Sequence, residues 1–206
     1  MAFSSVSSML DACKQSGHPL YEVILESDLA ESGLTRAESE AEMHRLWGVI
    51  CATSAGYCGA DRSMSGYAGG DAAKVAQAAG EGRLYADGYF AEVIAEALKT
   101  AECNACMKRI VAAPTAGSCG VLPAVLLPLF RAGRADEDAV CRALYVAAGF
   151  GQVVAARATL AGAEGGCQAE VGAASAMAAA ALTVLKNGTP EQAAEAFAMA
   201  LTNLEG

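Results

Sequence analysis

The chain has 206 residues, of which 54% are hydrophobic and only 6% aromatic, and its formal net charge is -9. Apolar content made of small side chains lets helices approach closely, so an all-α fold is expected. The acidic balance, with no run of lysines or arginines, excludes the basic stripe that a phosphate backbone requires, so nucleic acid is not an expected partner.

The opening MAFSSVSSMLDACKQ lacks a basic segment followed by an apolar run, so no secretion signal is read and a cytoplasmic location is expected. Residues 7–16 read as a helix stopped by Gly17, and 19–32 as a second stopped by Gly33. His18 and His44 occupy polar positions with no evident acid-base partner. Thr35-Arg36-Ala37-Glu38 has the pattern of a capping box, which predicts a long helix through Trp47 towards Cys51. Residues 54–70 are rich in Gly and Ser and read as a loop; Asp71 at its end is expected to cap a helix reaching about Ala79.

Asp87 is expected to start a further helix to about Ala101. Residues 104–117 read as an extended stretch broken at Pro114 and Gly117, with a helix beginning again from Gly117. The stretch 110–130 is uncharged, but its prolines and glycines argue against a membrane helix, since backbone groups left unpaired in lipid are costly. Residues 136–161 are expected to be helical, with Gly149 and Gly151 marking a kink or a close helix contact. After a glycine hinge at 162–166, residues 167–186 form an alanine-rich helix closed by Asn187-Gly188. Thr189-Pro190-Glu191-Gln192 then supplies a cap and a proline at the first position of the last helix. No repeat, low-complexity linker or charge block divides the chain, so one domain over 1–206 is expected, a bundle of about eight to ten helices with Gly-rich loops.

Two of those loops open onto helices. At such junctions several amides lack intrahelical partners and the helix dipole adds positive charge, so an anion can be held without a basic side chain. Thr115, Ala116, Gly117, Ser118, Cys119 and Gly120 therefore form a candidate carboxylate cradle, with a plain tight turn as the competing reading. Cys167 stands at the equivalent place in Glu164-Gly165-Gly166-Cys167, where the same field favours a metal-binding thiolate; the competing reading is a buried packing cysteine. Eight cysteines without a secretion signal point to thiol, metal or redox chemistry before structural disulfides. Cys103-Asn104-Ala105-Cys106 has the CxxC spacing of a zinc or dithiol site but lacks a second ligand pair.

Taken together, Gly69-Gly70-Asp71-Ala72, IVAAPTAGSCGVLPA at 110–124 and EGGCQAEVGAASAMAAAAL at 164–182 closely resemble the alpha subunit of the iron-sulfur-dependent L-serine dehydratases, over essentially the whole chain. The resemblance implies a cytoplasmic helical lyase subunit that uses a 4Fe-4S cluster, L-serine as substrate and a beta subunit as partner. It implies that Cys167 is one of three cysteine ligands, that Thr115 to Gly120 and Asp71 contact the substrate, and that an iron without a cysteine ligand polarises the serine hydroxyl. The other two ligands belong to a later segment in that family, so the cluster is expected to be absent or incomplete in this chain, and the chain alone to be inactive. Cys106 and Lys108 depart from the family pattern, which has a small residue and glycine there. The resemblance names no base for the Cα proton, and Lys74 is a weak candidate. Two alternatives stand beside it: a cluster-dependent L-cysteine desulfidase, and a non-enzymatic zinc or redox module built on Cys103 and Cys106.

Overall fold

A computed structural model describes residues 3–86 and 88–203. These are helical without strands, as expected of an all-α chain. They form α1 (Val6–Ser16), α2 (Leu20–Ser32), α3 (Arg36–Ala55), α4 (Asp71–Gly80), α5 (Gly88–Ala105), α6 (Val121–Arg131), α7 (Glu137–Arg157), the short α8 (Gly162–Cys167), α9 (Ala173–Leu185) and α10 (Pro190–Thr202). A π-helical turn, Gln168–Gly172, joins α8 to α9.

Local capping chemistry sets most of the boundaries. The Ser5 hydroxyl accepts from the Ser8 amide at the start of α1, while Gly17 and Gly33 end α1 and α2 in the left-handed conformation, at φ 72° and 70°. At α3 the Glu38 carboxylate accepts from the Thr35 amide at 2.9 Å, and the Glu38 amide donates to the Thr35 hydroxyl at 3.3 Å. Asp136 caps α7, and Thr189 with Gln192 forms the reciprocal box that opens α10.

Several boundaries differ from the sequence expectation, with α3 running on to Ala55 and α7 ending at Arg157, short of 161. Helix α5 runs on to Ala105, so Cys103 is helical and the irregular stretch is shorter. Residues 117–120 form a turn, and α6 starts only at Val121. The hinge at 162–166 is mostly a helical turn, broken at Gly166, where φ 72° and ψ -176° are accessible to glycine alone. The expected start at Asp87 lies outside the described residues.

The described residues divide into two units, Met1–Arg45 with Ala135–Gly206, and Leu46–Arg134. One boundary falls inside α3 and the other in the turn before α7, places where no linker composition would mark them. In the first unit α1, α2, α7, α9 and α10 bury Met9, Ile24, Val146, Phe150, Ala176, Ala180 and Phe197, with the Phe150 and Phe197 rings stacked at 4.8 Å. Both glycines of α7 are packing devices: a Cβ on Gly149 would lie 2.6 Å from Ile24 Cδ1, and one on Gly151 would lie 2.9 Å from Met177 Cε. They allow the close contact expected of them. This unit also corrects the reading of the histidines. His44 Nδ1 lies 2.9 Å from Glu137 and Nε2 lies 3.4 Å from Asp138, while His18 Nδ1 is 3.3 Å from Glu26. Tertiary packing supplies carboxylate partners that neighbouring sequence does not show.

In the second unit Trp47 meets Phe130 edge-on at 5.4 Å, and α5 packs on α4 and α6. Glu96 is buried on α5, yet Lys99 and Arg131 each donate to it at 2.6 Å, and Ser54 donates as well. Burial alone would raise its pKa, but the hydrogen bonds from Lys99, Ser54 and Arg131 together hold it below the ordinary carboxylate value. The buried charge is thus paired, which such a position requires.

The uncharged stretch at 110–130 does not make a spanning helix, since α6 has 11 residues, about 16 Å against the roughly 30 Å of a hydrocarbon core. Two longer segments, Glu137–Arg157 and Gly162–Leu185, are long and apolar enough to cross a membrane by length and composition; most of the first and nearly half of the second is buried inside the protein.

Candidate active site

In the second unit the Gly69-Gly70-Asp71 turn is shaped by close backbone approach. Gly69 has φ 125°, and a Cβ there would lie 2.2 Å from the Asp61 carbonyl oxygen; Gly70 has φ 87°. Only glycine fits both positions. Asp71 does not cap α4, contrary to the sequence expectation: Gly70 holds the cap position, and Asp71 is the first helical residue. Its exposed carboxylate instead accepts from Lys74 Nζ at 2.8 Å, and that ammonium holds its pKa below the ordinary value.

The cap comes from Glu102 on α5, a residue that sequence reasoning missed. Its carboxylate accepts from the amides of Gly70, Asp71 and Ala72 at 2.9, 2.7 and 3.1 Å, and from the Tyr57 hydroxyl at 2.6 Å. A buried anion thus fills the site that the α4 N-terminus would offer to a ligand, with the helix dipole in its favour. Burial, then the hydrogen bond to Glu102, pushes the Tyr57 phenol up to about 12. No local motif could have signalled this clamp, because its parts are some 30 residues apart.

The turn before α6 is built differently. The Ser118 hydroxyl is buried, 3.2 Å from the Thr115 hydroxyl and 3.4 Å from its carbonyl oxygen, and the Cys119 amide donates to the Ala116 carbonyl at 3.4 Å. The Cys119 thiol faces inward, 3.9 Å from the Thr100 carbonyl oxygen, and burial pushes it up to about 11. Ala116 and Gly117 are exposed, and among the described residues no acceptor meets the amides of Ala116, Gly117 and Ser118. The amides of Thr115 and Gly120 likewise meet none; Ser118 and Gly120 are buried, so the donors that belong to exposed residues are those of Ala116 and Gly117. Asn104 Nδ2 steadies it from α5 by donating to the Ala116 carbonyl at 3.0 Å.

Gly120 closes the turn against α5, where a Cβ would come within 2.6 Å of the Ala97 carbonyl oxygen. That oxygen is helix backbone and cannot swing aside. Gly120→Ala is expected to destabilise the protein by about 1–3 kcal/mol, the usual cost of overpacking. Urea denaturation of the two proteins measures it, and an unchanged midpoint would refute the close approach.

Cys167 belongs to the first unit and is exposed, so it is not a packing cysteine. Gly166 breaks the helical path just before it, and the π turn follows directly. Widened turns of this kind recur at functional sites. Gln168 in the π turn donates from Nε2 to the Leu201 carbonyl at 2.8 Å, anchoring the segment to α10, while its Oε1 is buried without a partner. A Cβ on Gly162 would lie 2.9 Å from the Glu170 carboxyl carbon, and one on Gly172 would lie 2.6 Å from the Gln168 amide. The motif's glycines and polar residues therefore shape one another.

Among the described residues no three His, Cys, Asp or Glu side chains are grouped to hold a metal ion. Cys103 is buried with its thiol 3.7 Å from the Thr53 carbonyl oxygen, and Cys106 is half-buried just beyond α5. Lys74 is largely exposed beside Asp71.

Comparison with known proteins places these features in context. The sequence profile of the serine dehydratase alpha chain matches residues 15–206. The chain is 35% identical over 204 residues to the L-serine dehydratase alpha chain of Peptoniphilus asaccharolyticus, covering 98% of this chain and 70% of that one. It is 36% identical over 205 residues to a probable L-serine dehydratase alpha chain of Bacillus subtilis (strain 168), covering 99% of this chain and 68% of that one. A further match, 42% identical over 106 residues, is to L-serine dehydratase TdcG of Escherichia coli (strain K12), covering 51% of this chain and 23% of that one. With a profile match over most of its length and two relatives above 30% identity, the chain belongs to the serine dehydratase alpha chain family.

Proposed function

We propose that this chain is the alpha-chain part of a cytoplasmic L-serine ammonia-lyase that converts L-serine to pyruvate and ammonia with a beta subunit as partner. The observation that carries the reading is the near-full-length similarity to two L-serine dehydratase alpha chains. The local geometry is consistent with it. The amides of the exposed Ala116 and Gly117, which meet no acceptor, suit the substrate carboxylate, with Thr115 and Ser118 holding the turn's shape through their shared hydrogen bonds. Gly120 would act through its backbone, whereas the Cys119 amide is already given to Ala116; the exposed Asp71 would exchange Lys74 for the substrate's ammonium. Lys74 is a poor choice for the Cα base, because its ammonium is paired with Asp71. A base supplied by the partner chain fits better. Elimination of water leaves an enamine, whose hydrolysis gives pyruvate and ammonia.

The described residues do not by themselves make a ligand set for a 4Fe-4S cluster. They fit the group at one point, the exposed thiol of Cys167, and the remaining thiolates would come from outside the described residues. When bound, the cluster would supply Lewis acidity towards the serine hydroxyl.

The test is anaerobic co-purification of the complete alpha polypeptide with its beta partner, followed by iron and sulfide analysis and assays with L-serine and L-cysteine. Iron and sulfide in equal amounts, with pyruvate formed faster from serine, are expected, whereas the 206-residue chain alone should give negligible turnover. Turnover in iron-free protein, or a preference for cysteine, would overturn the assignment.

A further inference from the structure

Three of the eight cysteines, Cys58, Cys103 and Cys106, line one small cleft in the second unit, together with Tyr57, Asp61, Gly69, Glu102 and Lys108. The cleft is too narrow to hold a water molecule, so the side chains that line it lie close to one another. Lys108 brings its ammonium into this cleft, where it pairs with Asp61 and donates to the Gly56 carbonyl at 3.1 Å.

The three thiols are not equivalent. Cys103 is buried, its thiol is turned to the Thr53 carbonyl oxygen, and burial pushes its pKa up. Its burial also keeps it from an oxidant in solution. Cys58 is exposed in the irregular segment after α3, and Cys106 is half-buried in the turn just past α5, where Met107 takes φ 60°. Both lie outside the helices, and neither is fully buried.

We propose that Cys58 and Cys106 form a reversible disulfide, which makes this cleft a peroxide-responsive modification site. The Cys58 thiolate attacks one oxygen of hydrogen peroxide, the O–O bond breaks, and a sulfenic acid forms as hydroxide leaves. The Cys106 thiolate then attacks that sulfur; the S–S bond forms, the S–O bond breaks, and the departing hydroxide takes a proton to become water. Two electrons pass from the thiol pair to one peroxide, and an external dithiol reverses the change. Because Tyr57, Gly69 and Glu102 line the same cleft, the bridge would tie down the segment that the Glu102 clamp holds.

The test uses the full 206-residue chain, reduced and then treated with a small excess of hydrogen peroxide, alkylated, digested with trypsin and analysed by mass spectrometry. The expected product joins peptide 46–62 to peptide 100–108 through Cys58 and Cys106, and dithiothreitol restores both thiols to alkylation. Cys58→Ser and Cys106→Ser should each abolish the linked peptide, while Cys103→Ser keeps it, with circular dichroism showing all three folded. A bridge confined to Cys103 and Cys106, or oxidation of Cys58 to sulfinic acid with no linked peptide, would overturn the proposal.

Discussion

Cys167→Ser in the complete alpha chain with its beta partner is expected to remove both cluster iron and pyruvate formation while leaving the fold intact. Serine replaces a soft thiolate with a poorer ligand, and the loss should exceed the roughly 10–100-fold that follows removal of a mere outer-shell partner. Because Cys167 is exposed, the substitution should change stability by only about 0.5 kcal/mol, as at other surface positions. Cys141→Ser is the control: that residue is buried in α7, so any loss should appear in stability while iron per folded molecule stays unchanged. Iron content and turnover are measured on the same anaerobic samples. Normal values of both in the Cys167 variant would remove this residue from the site, whatever the activity of the parent enzyme.

Glu102→Ala is expected to be among the most destabilising single substitutions in the second unit. It deletes the acceptor for three backbone amides and the Tyr57 hydroxyl, and leaves the buried amides of Gly70 and Ala72 with no partner. Breaking such a charge-assisted cluster costs on the order of 3–5 kcal/mol. Glu102→Gln keeps the shape but loses the charge and one acceptor oxygen, so about 1–2 kcal/mol is expected. Urea denaturation gives both values. Amide exchange should also quicken at Gly70, Asp71 and Ala72, and uniform exchange across the variant and parent would refute the clamp.

The same variant has a pH signature. The Tyr57 phenol is held up to about 12, by burial first and by its bond to Glu102 next, against about 10 in an unfolded chain. A raised folded pKa gives stability that is fully present below about 10 and is lost as pH rises through about 12. In Glu102→Gln the phenol should titrate lower in an ultraviolet titration, and this alkaline loss of stability should shrink without vanishing, because the burial contribution remains.

Much of the helical framework was legible because it is local. Gly17 and Gly33 stop their helices through their own left-handed backbone, and the boxes at Thr35 and Thr189 close within three residues. The three motifs that carry the family resemblance are contiguous stretches, so they too could be read from the chain, and the helical fold class followed from composition and caps. What the sequence could not show depends on groups brought together from far apart. A cap residue was sought next to α4, at Asp71, but a carboxylate from α5 fills that role and leaves Asp71 at the surface. The histidine partners, the Ser54 and Arg131 bonds to Glu96, and the cleft shared by Cys58 and Cys106 are of the same kind. Cys167 illustrates both sides: its glycine-flanked motif marked it out, but its exposure and the π turn behind it were decided by packing, because the Gln168 side chain must reach Leu201 on α10. Local hydrogen bonds fix where helices begin and end, whereas burial and the pairing of distant polar groups are set only when those helices pack.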